Sequence, residues 1–287
     1  MYEVDGHDTV RHTEFVKRVL SKPMAPEYLG RGEARRSMDL LWGRSQPATR
    51  GPKAALDLET VVRAGIELAD SEGLEALSMR RVADRLGMGT MSLYTYVPGK
   101  AELLDLMVDT VYGEGADKLA AVPAGDLRER LEALARHQWA FFQGHPWTLS
   151  IASGRSVLGP NEAESYERAL SAVADLSIPA RDAVAIVDAV SMFVRGAARD
   201  AGEAAGAEAA TGKSEYEWWT ERDAILSEVM TPERFPTLSR LAADGGFDVP
   251  PDTQNYNVRF IVDDFEFGLQ RLLDGIEGYV GRELPRR

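Results

Sequence analysis

The stretch from Ser78 to Lys100, SMRRVADRLGMGTMSLYTYVPGK, leaves the chain few choices of fold, because two short helical segments meet there at a glycine. Ser78 is a good N-cap, since its hydroxyl can accept a hydrogen bond from a free backbone N–H group of the first helical turn. Gly87 ends that helix, because glycine adopts the left-handed conformation at little cost. A second segment over residues 90–96 follows, and the pair predicts a helix-turn-helix.

The second segment turns one apolar side chain, Leu93, towards the preceding helices and presents hydroxyl, thioether and phenol groups elsewhere. A short helix with such a surface fits the major groove of DNA, where hydroxyl groups meet base edges or phosphates and a methyl group contacts thymine. The tyrosines also suit a purely structural role, in which they cover the core of a small module. The candidate DNA-binding residues of this segment are Thr90, Met91, Ser92, Tyr94, Thr95 and Tyr96.

Two cations stand where helices begin, Arg80 in the first turn of one helix and Lys100 at the start of the next. A helix N-terminus disfavours positive charge by roughly 0.3–1 kcal/mol, so each cation needs a compensating partner. A DNA phosphate, held by Lys100 together with free backbone N–H groups, supplies one such partner. The guanidinium of Arg80 suits a guanine edge. An ordinary solvated lysine remains the alternative for Lys100.

Net charge does not argue against a nucleic-acid partner, although it is −13 over the 287 residues. Residues 101–287 hold 18 basic and 32 acidic residues, whereas residues 50–100 hold seven of each. The acidic excess therefore lies outside the helix-turn-helix, and local charge decides whether a phosphate backbone is accepted.

Residues 1–55 lack helical periodicity and become rich in Arg, Gly and Pro, which predicts a mostly flexible basic extension with at most a turn or two of helix. Arg50 and Lys53 are candidates to contact the adjacent minor groove, and a leader without DNA contacts is the alternative. The first residues carry no secretory signal, no apolar run approaches 18 residues, and cysteine is absent. These features favour the cytoplasm, exclude disulfides and predict no membrane partner.

Beyond residue 120 the periodic segments are helical, and no stretch alternates as a β-strand does, so we expect an all-α fold. Residues 201–213, AGEAAGAEAATGK, are expected to form either a weakly packed helix end or a mobile loop. Residues 231–254 are punctuated by proline and are expected to be an irregular connection. The expected helices cover residues 126–143, 146–153, 160–176, 180–208, 214–230 and 255–281.

Aromatic side chains concentrate on these later helices. An apolar cavity with a few polar groups is the usual form of a small-molecule site, and a ligand for it would be apolar or aromatic. A helical core that simply contains aromatic residues is the alternative. The candidate ligand-binding residues are His137, Phe141, Phe142, Trp147, Phe193 and Trp218.

The sequence contains partial matches to catalytic and cofactor-binding motifs, but the flanking elements and spacings that these motifs need are missing. Gly-Met-Gly at residues 87–89 resembles part of a dinucleotide-binding loop, but a helix precedes it where a strand is needed. Gly-Lys-Ser at residues 212–214 ends like a phosphate-binding loop, but the first glycine of that motif is misplaced. His137 and His145 lack supporting carboxylates in the sequence around them. We therefore expect no catalytic residues, no metal and no cofactor.

From Asp57 to Tyr112 the chain resembles the tetracycline-repressor (TetR) family of bacterial transcription regulators. The family's small-x-x-Leu-Gly turn stands as Ala-Asp-Arg-Leu-Gly at residues 83–87. Its Leu-Tyr-x-x-Val signature stands as Leu-Tyr-Thr-Tyr-Val at residues 93–97, and its following lysine is Lys100. Four later segments, HPWTLSIAS, SMFVRGAARDA, ERFPTLSRLA and FGLQRLLDGIEGYV, are similar to the C-terminal domain of the tetracycline-repressor-type subgroup.

The resemblance implies a role for each candidate side chain on the DNA. The residues implied to face bases are Arg80, Thr90, Met91 and Thr95. The residues implied to hold the backbone are Ser92, Tyr94, Tyr96 and Lys100. Thr95 is smaller than the residue that many members have there, so we expect this chain to differ from its relatives at that base contact.

Three regions follow for the chain: a flexible basic extension over residues 1–55, a helix-turn-helix DNA-binding domain over residues 56–101, and a larger helical domain for ligand binding and dimerisation over residues 102–287. The segments 180–208 and 255–281 are the candidates for the dimer interface. The resemblance implies that they form a four-helix bundle with the same segments of a second subunit.

Three charged residues, Asp188, Arg195 and Arg199, interrupt the first of these two segments. They are expected either to pair across the dimer interface with the acidic residues of the other segment at 263–266, or to be solvated.

We expect a homodimeric regulator that represses transcription from a palindromic operator and is released by a small molecule. The helix that begins near Lys100 would carry the signal, because Leu103 and Leu104 face the DNA-binding module and Met107 and Val111 enter the larger domain. An activator, or a constitutive DNA-binding regulator without a ligand, is one alternative. A helical small-molecule-binding protein with a vestigial DNA module is another.

Overall fold

The computed structural model describes residues 27–44, 57–114, 125–152, 155–248 and 256–283. Within these ranges all regular elements are helices, and the sole strand-like feature is an isolated parallel bridge between Glu27 and Ile151. The expectation of an all-α fold is therefore confirmed. No helix of the described ranges is long and apolar enough to cross a membrane.

The helices are numbered here in chain order. Two short 3-10 helices, Leu74–Ala76 and Pro146–Ser150, lie between them. The α-helices of the described residues are α1 (Ala34–Leu41), α2 (Leu58–Glu72), α3 (Met79–Arg85), α4 (Thr90–Leu93), α5 (Lys100–Gly113), α6 (Leu127–Gly144), α7 (Pro160–Ser171), α8 (Ala180–Thr211), α9 (Glu215–Val229), α10 (Pro236–Ala243) and α11 (Tyr256–Glu283).

Local signals set the ends of the helices around the turn. The Asp57 carboxylate accepts a hydrogen bond from the Thr60 backbone N–H at 2.8 Å and caps α2. Ser78 caps α3 in the same way, through the Arg81 backbone N–H at 3.3 Å. Gly87 follows α3 with a φ of 65°, a conformation that is rarely open to a residue with a Cβ atom. These ends confirm the sequence-based expectations.

Some of the expected boundaries differ from the structure. The segment 90–96 is helical only to Leu93, and residues 94–96 form turns. The connection 231–254 contains a helix, α10, which starts at a proline that needs no backbone N–H in the first turn. The Ala/Gly-rich segment 201–213 follows the first of its two expected alternatives, a helix end, because α8 remains helical to Thr211.

Residues 27–44 correct the expectation of an unpacked extension for that part of the N-terminal region. They contain α1, and both Leu29 and Leu41 are buried in the core that also holds the helix-turn-helix. The Trp42 indole N–H donates a hydrogen bond to the Leu158 carbonyl at 3.0 Å. Arg50 and Lys53, the expected minor-groove contacts, lie outside the described residues.

The described chain divides into two compact units. The main unit falls within residues 24–199 and 265–287, and the smaller unit within residues 200–264. In the main unit one core joins α1 to α5, and a second core joins α6, α7, α8 and α11. The expected domain boundary at residues 101 and 102 therefore lies within α5, inside the main unit.

The smaller unit holds α9 and α10 with the adjoining ends of α8 and α11. It buries few side chains, and α10 buries none. Its apolar side chains are therefore largely on its surface. The large exposed apolar residues of this unit are Tyr216, Trp218, Trp219, Ile225, Val229, Met230, Leu241, Phe247 and Phe260.

Candidate DNA interface and effector cavity

The helix-turn-helix is built on two fully buried contacts. Ala83 of α3 and Leu93 of α4 have no exposed surface, so the two helices approach closely and α4 is fixed against the core. Across the turn, the Met88 backbone N–H donates to the Ala83 carbonyl at 3.0 Å. The position of α4 is therefore set by packing and by the backbone, which leaves its other side chains available for a partner.

The candidate side chains of α4 and the following turn lie mostly in solvent. Met91 is 80% exposed, an unusual position for a large apolar side chain without a partner. Ser92, Tyr94 and Thr95 are also exposed, and the Thr95 hydroxyl donates to the Ser92 carbonyl at 2.6 Å. The half-buried residues of the set are Thr90 and Tyr96, and Tyr96 packs against the core.

The cations of α3 differ in how far they are engaged. Arg81 is paired with Glu72 at 2.5 Å, and Arg85 is paired with Glu67 at 3.1 Å. Arg80 has only a long contact of 3.8 Å with Asp84, and its side chain is 86% exposed. Arg80 is therefore the α3 arginine most available to a nucleic acid.

Lys100 has a partner that the sequence did not suggest. Its ammonium group lies 3.2 Å from the Glu27 carboxylate, which reaches it from the segment before α1. The Lys100 side chain is 38% exposed and the Glu27 side chain 23% exposed. The lysine therefore stands at the expected helix start but in an intramolecular ion pair.

A small cavity lies in the main unit beside α5, α6 and α8. Its volume is about 150 Å³, below the range of roughly 300–1,000 Å³ that is typical of ligand pockets. Apolar and aromatic side chains form most of its wall, and three charged residues add polarity. The lining residues are Leu29, Val108, Tyr112, Phe141, Phe142, Thr148, Ile151, Ala152, Arg155, Ser156, Glu162 and Arg195.

Two of the six candidate ligand-binding residues, Phe141 and Phe142, line this cavity. Phe141 stacks on Tyr112 with ring centroids 5.1 Å apart. Burial raises the pKa of the Tyr112 phenol, which therefore stays neutral. This part of the wall is thus an aromatic surface that carries the neutral hydroxyl group of Tyr112.

Arg195 corrects the expectation of an interface ion pair or a solvated side chain. Its guanidinium donates to the Ile151 carbonyl at 2.5 Å and more weakly to two neighbouring carbonyls, and it lies 5.7 Å from the centre of the Phe142 ring. Burial lowers the pKa of this guanidinium. Arg195 therefore fixes the cavity wall at residues 148–151.

The other four candidates do not line the cavity. Trp147 is fully buried, and its indole N–H donates to the Asp70 carboxylate at 2.7 Å. Phe193 stacks on Phe265 with centroids 5.7 Å apart. His137 is half-buried on α6. Trp218 belongs to the smaller unit, where its ring meets Trp219 edge-on. The sequence placed these aromatic residues on helices without indicating which face each occupies.

A partly buried ionic cluster connects α2 of the helix-turn-helix to the region after α6. His145 contacts Asp70 of α2 at 2.9 Å through Nδ1 and Glu114 at 3.0 Å through Nε2, and Glu114 also pairs with Arg63. Burial lowers the pKa of His145, but the hydrogen bonds and charges of Asp70 and Glu114 outweigh it and raise the pKa to about 9. His145 is therefore a cation shared by two carboxylates.

Two buried carboxylates of α5 hold the segments that frame the cavity. Asp105 accepts a hydrogen bond from the Gly30 backbone N–H at 3.0 Å. Asp109 accepts one from the Glu162 backbone N–H at 2.9 Å and so caps α7, whose own N-cap is a glycine. Burial raises the pKa of both carboxyl groups. The helix that starts at Lys100 thus also anchors the cavity walls.

Two family models match the chain. The model described as bacterial regulatory proteins, tetR family, matches residues 61–107, which contain the helix-turn-helix. The model described as tetracyclin repressor-like, C-terminal domain, matches residues 119–280, more than half of the chain.

Two of the similar proteins span most of the chain. The HTH-type transcriptional repressor DrrR1 of Streptomyces coeruleorubidus is 40% identical over 256 residues, which are 89% of this chain and 90% of that one. The crystal structure of the Streptomyces coelicolor TetR family protein ActR in complex with actinorhodin has a TM-score of 0.63 and 26% identity, and covers 81% of this chain and all of ActR. The chain therefore belongs to the tetR family of bacterial regulatory proteins, and it is a helix-turn-helix transcriptional regulator.

Proposed function

We propose that the protein is a homodimeric repressor that a small apolar or aromatic effector releases from a palindromic operator. It acts in the cytoplasm on double-stranded DNA and catalyses no reaction. The observation that carries the proposal is the dual role of α5. This helix begins at Lys100, shortly after α4 in the chain, and holds the cavity frame through Asp105 and Asp109.

On the DNA side, α4 enters the major groove with its exposed face. The proposed base contacts are made by Arg80, Thr90, Met91 and Thr95, and the proposed backbone contacts by Ser92, Tyr94, Tyr96 and Lys100. The exposure of Arg80 and Met91 supports this assignment, because neither side chain has a strong partner within the described residues. Phosphate contacts supply affinity, and base contacts supply specificity.

On the effector side, the cavity walls move apart to admit a ligand. A volume of about 150 Å³ is too small for a polycyclic aromatic molecule, so the bound state must differ from this one. ActR, a relative of known structure, is described in complex with actinorhodin, which supports an aromatic effector for this chain. The effector needs differential affinity for the two states, about 1.4 kcal/mol for each tenfold shift in operator binding.

The small cavity also favours a second candidate function, a constitutive regulator without an effector. In that case the walls stay closed, and operator affinity is independent of any small molecule. The two candidates differ in one measurable quantity, the change in operator affinity on addition of a compound that binds the main unit.

The test starts from a duplex selected out of random-sequence DNA by the wild-type protein. Operator affinity is then measured by fluorescence anisotropy against salt concentration, with and without actinorhodin and a panel of smaller aromatic compounds. We expect a steep salt dependence, with a slope of about −0.9 per phosphate contact, and at least a tenfold loss of affinity with one compound. Compounds that bind the protein without altering operator affinity would establish the constitutive alternative.

The proposed dimer interface is the outer face of α8 and α11 in the main unit. Met192 of α8 and Phe267 of α11 are both largely exposed, although both are large and apolar. A groove of about 480 Å³ runs between the two helices and is lined mainly by alanine, isoleucine and leucine. Exposed apolar surface of this kind marks an interaction site, and a second copy of the same face completes a four-helix bundle.

Replacing Met192 and Phe267 together with glutamate is expected to give a monomer at micromolar concentration, because four carboxylates then lie in the twofold interface. We expect the dimer dissociation constant to rise about a hundredfold or more, as for loss of interface hot spots. Sedimentation equilibrium measures the change, with Tyr216→Glu in the smaller unit, where the side chain is 79% exposed, as the control. A double variant that sediments as the wild type would place the interface elsewhere.

A further inference from the structure

The segment Glu27–Gly30, here called the strap, is held at both ends by backbone hydrogen bonds. The Glu27 N–H donates to the Ser150 carbonyl at 3.2 Å, and the Glu27 carbonyl accepts from the Ala152 N–H at 2.9 Å. At the other end, the Gly30 N–H donates to the Asp105 carboxylate at 3.0 Å. Leu29 between them is buried and lines the cavity. The strap is therefore fixed before any partner binds.

The side chain of Glu27 points from this fixed backbone to Lys100. The carboxylate lies 3.2 Å from the lysine ammonium group, and Arg31 approaches it only to 3.8 Å. A typical surface ion pair contributes little, because two mobile side chains lose entropy when they meet. Here the glutamate backbone is already ordered, so the entropic cost of the pair is lower.

We propose that Glu27 is an intramolecular substitute for an operator phosphate: in the DNA-free protein its carboxylate occupies Lys100, and DNA must displace it to bind. The inference rests on the proposed function, because it requires Lys100 to contact the DNA backbone. Both anions offer oxygen acceptors to the same ammonium group, but that group carries a single positive charge, so the carboxylate and the phosphate repel each other and compete for it. Glu27 therefore sets operator affinity without touching DNA and is a positioning residue.

The place of the strap also connects this competition to the effector cavity. Ile151 and Ala152, which follow Ser150, line the cavity. The Ala152 backbone N–H also donates a hydrogen bond to the Glu27 carbonyl. A shift of this wall moves the Glu27 carboxylate relative to Lys100. The N-terminal segment is thus part of both sites that the proposed function uses.

The test is a double-mutant cycle on operator affinity with Glu27→Gln, Lys100→Met and the combined variant. Glutamine keeps the size of the side chain and the backbone bridge but removes the negative charge. We expect Glu27→Gln to bind the selected duplex about five- to tenfold more tightly than the wild type, as two weak ion pairs per dimer are released. In the Lys100→Met background, measured at low salt, the same change is expected to have no effect.

Glu75→Gln is the matched control, because it removes the same charge from an exposed residue of the same unit. Thermal unfolding of each variant shows whether the strap change alters the fold. Unchanged affinity in Glu27→Gln overturns the proposal, and so does an equal gain in the Lys100→Met background or in Glu75→Gln, since either indicates a general charge effect. If the wild type selects no duplex at all, the proposed function fails instead.

Discussion

Replacing Arg80 and Lys100 together with alanine is expected to weaken operator binding about a thousandfold. Each contact is worth about 1 kcal/mol or more, and a dimer loses four of them, which amounts to about 4 kcal/mol. The two single variants should differ in character. Arg80→Ala should relax sequence preference at one base pair of each half-site, whereas Lys100→Ala should weaken binding to all sequences alike.

The measurement is anisotropy of the selected duplex and of a scrambled duplex over a range of salt concentrations. We expect Lys100→Ala to reduce the salt slope by about one contact per subunit. Arg81→Ala is the control, because Arg81 carries the same charge on the same helix but is engaged by Glu72. A double variant that binds like the wild type would support the alternative of a vestigial DNA module.

Replacing His145 with glutamine is expected to destabilise the main unit by about 3 kcal/mol at pH 6.5. The wild-type imidazolium, with a side chain only 12% exposed, is shared by Asp70 and Glu114. Its removal leaves two partly buried carboxylates on opposite sides of a neutral amide. Loss of one member of a buried ionic cluster is costly because the remaining charges lose their partner.

The same cluster predicts a pH dependence with a definite sign. The folded pKa of His145, about 9, lies above the ordinary value of 6.5, so the folded state binds the proton more tightly. The stabilisation is therefore complete below about pH 6.5 and is lost as the pH rises to about 9, an effect of about 3 kcal/mol. The hydrogen bond and charge of His145 hold the pKa of Glu114 below its usual value against the opposing effect of burial, so the cluster also weakens in acid.

Urea unfolding at fixed protein concentration, at pH 6.5 and at pH 9, measures this effect. The free energy of unfolding should fall by about 3 kcal/mol more in the wild type than in His145→Gln. A parallel fall in both proteins would show that other groups carry the pH dependence. Because Asp70 belongs to α2 and Glu114 follows α5, we also expect His145→Gln to reduce the effect of an effector on operator affinity.

The helix-turn-helix could be predicted from the sequence because its signals are local. The cap at Ser78, the glycine at 87 and the inward Leu93 each act within a few residues, and the structure has all three as expected. The helix α10 was missed although Pro236 opens it. Proline within a connection predicts a break, whereas proline at the first position of a helix is a start signal.

The strap and most of the cavity could not be predicted because their contacts join distant parts of the chain. Gly30 meets Asp105 across 75 residues, and Trp42 meets Leu158 across 116. No local pattern in the sequence predicts such pairs. From the sequence alone, Arg195 is expected at the surface, whereas in the structure its guanidinium donates to three backbone carbonyls. Only the adjacent aromatic pair on α6, Phe141 and Phe142, indicated the position of the cavity.

The residues before the helix-turn-helix restrict how this regulator can be recombined with its relatives. The simplest chimera joins the helix-turn-helix of one protein to the effector-binding region of another and exchanges the helix-turn-helix alone. Here such a hybrid would also have to inherit Leu29, Gly30 and Asp105 from one parent, because the first lines the cavity and the other two join the strap to α5. A segment transferred into a chimeric biosensor should therefore begin no later than Glu27, rather than at Asp57.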